Sequence, residues 1–214
     1  MTDPHADRPI ETLGPAPTDS AGALVLVHGR GATARGILGL ARDVAPPDLA
    51  VLAPQAANNT WYPQSFLAPV SENEPHLSSA LARLGSIRAD LTAAGLSSES
   101  IMFIGFSQGA CLASEFVARN PMEYGGLAAL SGGLIGPLGM AFAYEGSLAG
   151  TPVFLGCSDV DPHIPLERVE ETADVFRTMD AQVRTEIYEG MGHGINEDEM
   201  RIVSDMAQYL SGDS

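Results

Sequence analysis

A serine with a glycine two residues away on each side, Gly105-Phe106-Ser107-Gln108-Gly109, stands directly after an apolar run and before a stretch of small residues. A serine hydroxyl is a weak nucleophile at neutral pH and needs a base beside it. The G-x-S-x-G turn supplies the geometry, because its glycines allow a sharp strand-to-helix bend that leaves the hydroxyl exposed. Ser107 is the expected nucleophile, and His193, between Gly192 and Gly194, the expected general base. The third member must accept the imidazole N–H and stabilise the imidazolium without taking the proton. Asp159 and Asp161 both qualify by loop. Asp161 is favoured, because Pro162 stiffens the chain after it, and Asp159 is left as a turn or supporting residue.

Main-chain donors for a negative oxygen are expected at Arg30, in Val27-His28-Gly29-Arg30-Gly31-Ala32-Thr33, and at Gln108. Losing such a donor typically costs about two to three decades of rate. Because the donors are amides, side-chain identity at 30 and 108 says little about that role. The Arg30 guanidinium reads as a salt-bridged loop residue, with a preference for an anionic substrate as the alternative. His28, at a strand end, suits this oxyanion loop better than the base; His76 and His163 read as ordinary. The segment from Asn58 to Phe66 holds the single tryptophan, and Trp61, Tyr62 and Phe66 are expected to wall an acyl or alcohol pocket. Residues 139–150, with Met140, Phe142 and Tyr144, read as a flap over the site.

These loops need a frame. Short apolar runs at 23–27, 49–52, 101–104, 127–130 and 152–155 have the continuous character of buried parallel strands, and 183–188 alternates as an edge strand does. Between them lie helical stripes: Leu77, Leu81, Leu84, Ile87 and Leu91; Leu166, Val169, Ala173 and Phe176; Ile202, Val203, Met206 and Leu210. Asn196 with Glu199 has the spacing of a capping box for the last helix, and Glu74 serves the start of the long one. Strand–helix alternation predicts an α/β fold, a mainly parallel sheet with helices on both faces. Loops carry function at the carboxyl ends of such strands, which sets Ser107, the acid loop and His193 on one rim.

Composition bounds the rest. The chain of 214 residues suits one domain. Residues 1–20 read as a flexible N-terminal arm with no signal-peptide core, His5 included, and 21–214 as a single domain. No apolar run reaches the roughly 20 residues of a membrane span, so no membrane insertion is expected and the default location is cytoplasmic. A net charge of −16 argues against a nucleic-acid partner, whose phosphates it would repel. All eleven basic residues are arginine, a pattern expected equally of a high-salt cytoplasm and of a GC-rich genome. Cys111 and Cys157 lack metal-ligand spacing and read as two reduced buried thiols.

His28-Gly29-Arg30-Gly31, Gly105-Phe106-Ser107-Gln108-Gly109-Ala110, Leu130-Ser131-Gly132, Asp161-Pro162-His163-Ile164-Pro165 and Gly192-His193 together resemble the phospholipase/carboxylesterase family. The likeness runs from about Ala23 to the C-terminal helix. It implies a near-minimal α/β-hydrolase fold without a large cap, and hydrolysis of carboxylic esters or thioesters with no cofactor and no metal. Residue by residue it implies a triad of Ser107, Asp161 and His193 with oxyanion amides at Arg30 and Gln108. It extends to a small-molecule ester as substrate and to homodimerisation. Thioesterase members commonly carry Gly-x-Gly-Asp where this chain has Gly29-Arg30-Gly31-Ala32, which weakens transfer of protein-depalmitoylating activity. The expectation is a serine carboxylesterase for small to medium esters. A thioesterase or lysophospholipase on the same residues, and an inactive ligand-binding module of this fold, are the alternatives.

Overall fold

The computed structural model describes residues 3–211. Seven strands form one sheet in the order β1-β3-β2-β4-β5-β6-β7. They are β1 (Ile10–Leu13), β2 (Gly22–Val27), β3 (Leu49–Pro54), β4 (Ile101–Phe106), β5 (Gly126–Leu130), β6 (Pro152–Ser158) and β7 (Gln182–Tyr188). All neighbours are parallel except β1, which runs antiparallel to β3 with Ile10 opposite Pro54. β2, β3 and β5 are buried along their whole length and β4 and β6 at all but one end residue, as continuous apolar runs require. At the β7 edge burial alternates or is partial, in step with its Val-Arg-Thr-Glu-Ile sequence.

Successive residues of a strand point to opposite faces, so each buried strand feeds two cores. Ala23, Val25 and Val27 of β2 pack with α2 (His76–Ala93), α3 (Gln108–Arg119) and α4 (Leu166–Thr178). Leu24 and Leu26 pack on the other face with α1 (Ala34–Val44) and α5 (Glu197–Ser211). The architecture is that of an α/β-hydrolase without a large cap. At α5 the capping box forms as its spacing requires: the Glu199 N–H donates to Asn196 Oδ1 at 2.9 Å and the Asn196 N–H to Glu199 Oε2 at 2.9 Å. Glu74 accepts the Ser78 N–H in the first turn of α2.

Two expectations need correction. Residues 3–20 are not a loose arm. β1 adds to the sheet, and His5 is fully buried, with its N–H on Ser79 Oγ and its ring between loop and helix. The His5 Nδ1 accepts the Ala57 N–H at 3.0 Å, so the proton sits on Nε2, which donates to Trp61 O at 2.9 Å. Proline-rich composition concealed this, because the segment's anchors are single polar residues with no periodicity to read. Nor do residues 139–150 form a loose flap. Arg168 of α4, wholly buried, donates to the carbonyls of Leu134, Gly136 and Pro137 and lies over the Phe142 ring, while the Tyr144 hydroxyl donates to Glu115. That segment is fastened to the sheet's helical layer.

Candidate active site

Ser107 sits in the turn between β4 and α3 with φ 54° and ψ −120°, a conformation that costs a non-glycine residue about 1–3 kcal/mol. The bend explains both glycines of the motif. A Cβ at Gly105 would fall on the main chain of Gly109, and one at Gly109 on the Val27 carbonyl of β2. The turn is held by the Ser107 N–H on Leu130 O at 2.9 Å and by the Cys111 N–H on Ser107 O at 3.0 Å. Gln108 opens α3, where an amide has no acceptor within its own helix.

His193 brings the two ends of the series together. Its Nδ1 lies 2.7 Å from Asp161 Oδ2 and its Nε2 2.9 Å from Ser107 Oγ. With the acid taking the Nδ1–H, Nε2 is left to accept the serine proton. The ring is also fixed in plane, tilted against Phe106 at 5.0 Å and met edge-on by His163 at 4.8 Å. The Asp161 side chain is fully buried and the His193 side chain only 19% exposed. Desolvation pushes the Asp161 carboxyl up. The His193 hydrogen bond and the amides of His163 (2.8 Å) and Ile164 (3.1 Å) on Oδ1 outweigh it and hold the group below the usual carboxylate range.

The acid and base loops are tied to each other as well. Ser158 Oγ accepts the Gly192 N–H at 3.1 Å and Asp159 Oδ1 accepts the Gly190 N–H at 2.8 Å. Asp159 thus holds the His193 loop and makes no contact with the imidazole. His28 is unsuited to act as a base. It is fully buried, burial lowers its pKa, its Nε2 accepts the Ala56 N–H and its Nδ1 donates to Gly29 O.

The serine opens into a cleft of about 540 Å³. Tyr62 and Phe66 line it, together with Phe106, Cys111 and Ile164. Trp61 does not. It is wholly buried behind the wall, its Nε1–H on His28 O at 2.8 Å, so its expected pocket role is corrected to a buttress of the oxyanion loop. An indole whose single donor finds a main-chain acceptor is better placed in the interior than on a wet wall.

The side chains at 30 and 108, whose identity the main-chain role left open, both clamp this wall. Gln108 Oε1 accepts the Trp61 N–H at 3.0 Å and its Nε2 donates to Tyr62 O at 2.8 Å. The Arg30 guanidinium, expected in a salt bridge, donates instead to the carbonyls of Tyr62, Pro63 and Gln64. His163, read as ordinary, lies in the cleft beside His193. Its place next to the favoured acid was the available signal. Cys111 and Cys157 are free and buried, and burial pushes both thiols up to about 12. Among the described residues no group of three or more His, Cys, Asp or Glu could hold a metal ion, and no helix is long and apolar enough to cross a membrane.

The phospholipase/carboxylesterase family model matches residues 15–211. The chain belongs to the phospholipase/carboxylesterase family. The phospholipase/carboxylesterase from Dyadobacter fermentans DSM 18053 superimposes with a TM-score of 0.89 at 42% identity, covering 93% of this chain and 95% of that one. The carboxylesterase of Bacillus cereus, at TM-score 0.75 and 19% identity over 96% of this chain and 95% of its own, shares the fold. Acyl-protein thioesterase 1 of Kluyveromyces lactis is 34% identical over 122 residues, 55% of this chain and 51% of that protein. The enzyme of the same name from Saccharomyces cerevisiae is 32% identical over 119 residues, 54% and 51%. The chain's matches thus span about half the length of these two relatives. Proteins named phospholipase/carboxylesterase and acyl-protein thioesterase are thus both among those the chain resembles.

Proposed function

We propose that the protein is a serine esterase that hydrolyses small to medium carboxylic esters through an acyl-enzyme on Ser107. The observation that carries this reading is the unbroken hydrogen-bonded series Ser107–His193–Asp161 at the floor of an open cleft. Ser107 Oγ attacks the ester carbonyl as its proton passes to His193 Nε2, and Asp161 stabilises the imidazolium. The amides of Arg30 and Gln108 receive the developing oxyanion. His193 then gives the proton to the leaving alcohol, and water, deprotonated by the same imidazole, releases the acid and restores Ser107. No cofactor enters any step.

Labelling by a fluorophosphonate tests the reading, with adduct on wild type and none on Ser107→Ala expected. Absence of wild-type labelling, with no turnover of any ester, would sink it in favour of a module that only binds. A thioesterase is the second reading, favoured by the likeness to the two yeast acyl-protein thioesterases. Matched oxygen esters, thioesters and lysolipids separate it by the ratio of kcat/KM.

A further inference from the structure

The charge lining the cleft is opposite in sign to that of the molecule. The chain carries 27 acidic residues and a net charge of −16, yet no Asp or Glu lines the cleft. Its basic lining groups are Arg30, His163 and His193, while the titratable Tyr62 and Cys111 are kept neutral by burial. Arg30 has no carboxylate within salt-bridge distance among the described residues, although six of the other ten arginines do. Its Nη1 and Nη2 are held by three main-chain carbonyls, to Pro63 at 2.9 Å, Tyr62 at 3.0 Å and Gln64 at 2.6 Å. Carbonyls fix a guanidinium without cancelling its charge, and three bonds leave two of its five N–H donors unused. The cation is thereby anchored in place, on the residue whose amide faces the oxyanion and at the mouth of the pocket that takes the substrate.

We propose that the preferred substrate is an ester bearing a carboxylate on its acyl or its alcohol part, recognised by the Arg30 guanidinium. This rests on the esterase reading and specifies its substrate class. Arg30 is exposed, and a guanidinium–carboxylate contact there, being charge-assisted, still outweighs the same contact to a neutral group. The anchoring adds position, since a guanidinium already held by three carbonyls loses less freedom on binding than a lysine would.

Two pairs of esters test it. The mono-aryl ester of glutaric acid against its methyl-capped diester places the charge on the acyl side. The acetate ester of 4-hydroxybenzoate against that of methyl 4-hydroxybenzoate places it on the alcohol side. In at least one pair the anionic member is expected to have a kcat/KM about tenfold above the neutral member, mostly through KM. The pair that responds identifies the side. Arg30→Gln should bring that ratio to about one whatever it does to the absolute rates. Arg30→Lys, which keeps the charge but not the three-carbonyl anchoring, should keep a preference at reduced activity. Equal or better turnover of the neutral members by wild type overturns the inference and leaves the esterase reading standing. So does a ratio unmoved in Arg30→Gln. No turnover of any of the four, with no fluorophosphonate adduct, removes both.

Discussion

In the proposed mechanism Ser107, His193 and Asp161 act as a unit, so their single removals should not add. Ser107→Ala or His193→Ala is expected to lower kcat by about four to six decades, and the double variant by no more, in steady-state assays with an activated ester. Asp161→Asn leaves Nδ1 facing an amide and favours the wrong tautomer, at a cost of about four decades. Asp159→Asn should cost far less, because the Asp159 carboxylate is hydrogen-bonded to the Gly190 amide and the Ser158 hydroxyl and not to the imidazole. An Asp159→Asn variant more damaged than Asp161→Asn would reverse the assignment of the acid. Residue types and spacing were enough to single out all three positions. The choice between the two aspartates, by contrast, rests in the sequence on one proline.

The cleft's loops owe their shape to single polar anchors on helices and on the N-terminal segment. His5→Ala removes the acceptor of the Ala57 N–H and the donor to Trp61 O, both buried, and should cost about 2 kcal/mol in chemical denaturation. Arg168→Met strips buried carbonyls of Leu134 and Gly136 of their donor and leaves Glu171 unpaired, at a cost of about 3 kcal/mol by the same measurement. Strands 23–27, 101–104 and 127–130 were legible, because buried parallel strands are apolar throughout. β1 was not, because a four-residue edge strand with half its side chains exposed carries almost no hydrophobic signal. The clamps by Arg30 and Gln108 were equally invisible, since a side-chain bond to a distant carbonyl leaves no mark in local spacing.

Across the molecule, buried titratable groups give stability a two-signed dependence on pH. Burial pushes Glu199 up to about 7, so its neutral form is favoured by folding. That contribution is complete below its ordinary 4.5 and is lost as pH rises through about 7. Burial lowers His5 and His28, so their contribution is present above the ordinary 6.5 and is lost as pH falls below it. Glu199→Gln keeps an acceptor for the Asn196 amide and removes the first term. The variant should therefore gain stability over wild type as pH rises from about 4.5 to 7 in urea titrations, keeping the loss at low pH. Parallel curves for the two proteins over that range would show that Glu199 does not titrate in it.

By itself the sequence determined the α/β alternation, the strained serine turn and the order Ser, Asp, His along one rim. Each of these is written in local patterns: apolar runs, glycine spacing and strand ends. The tertiary structure decided what lies between them. It set the imidazole on Asp161, turned Trp61 inward, drew His5 into the core and left Arg30 held by carbonyls in a cleft whose lining holds no acid, Asp161 being buried behind His193. Those outcomes depend on contacts between residues tens of positions apart, and chain closure, not local propensity, determines which of them form.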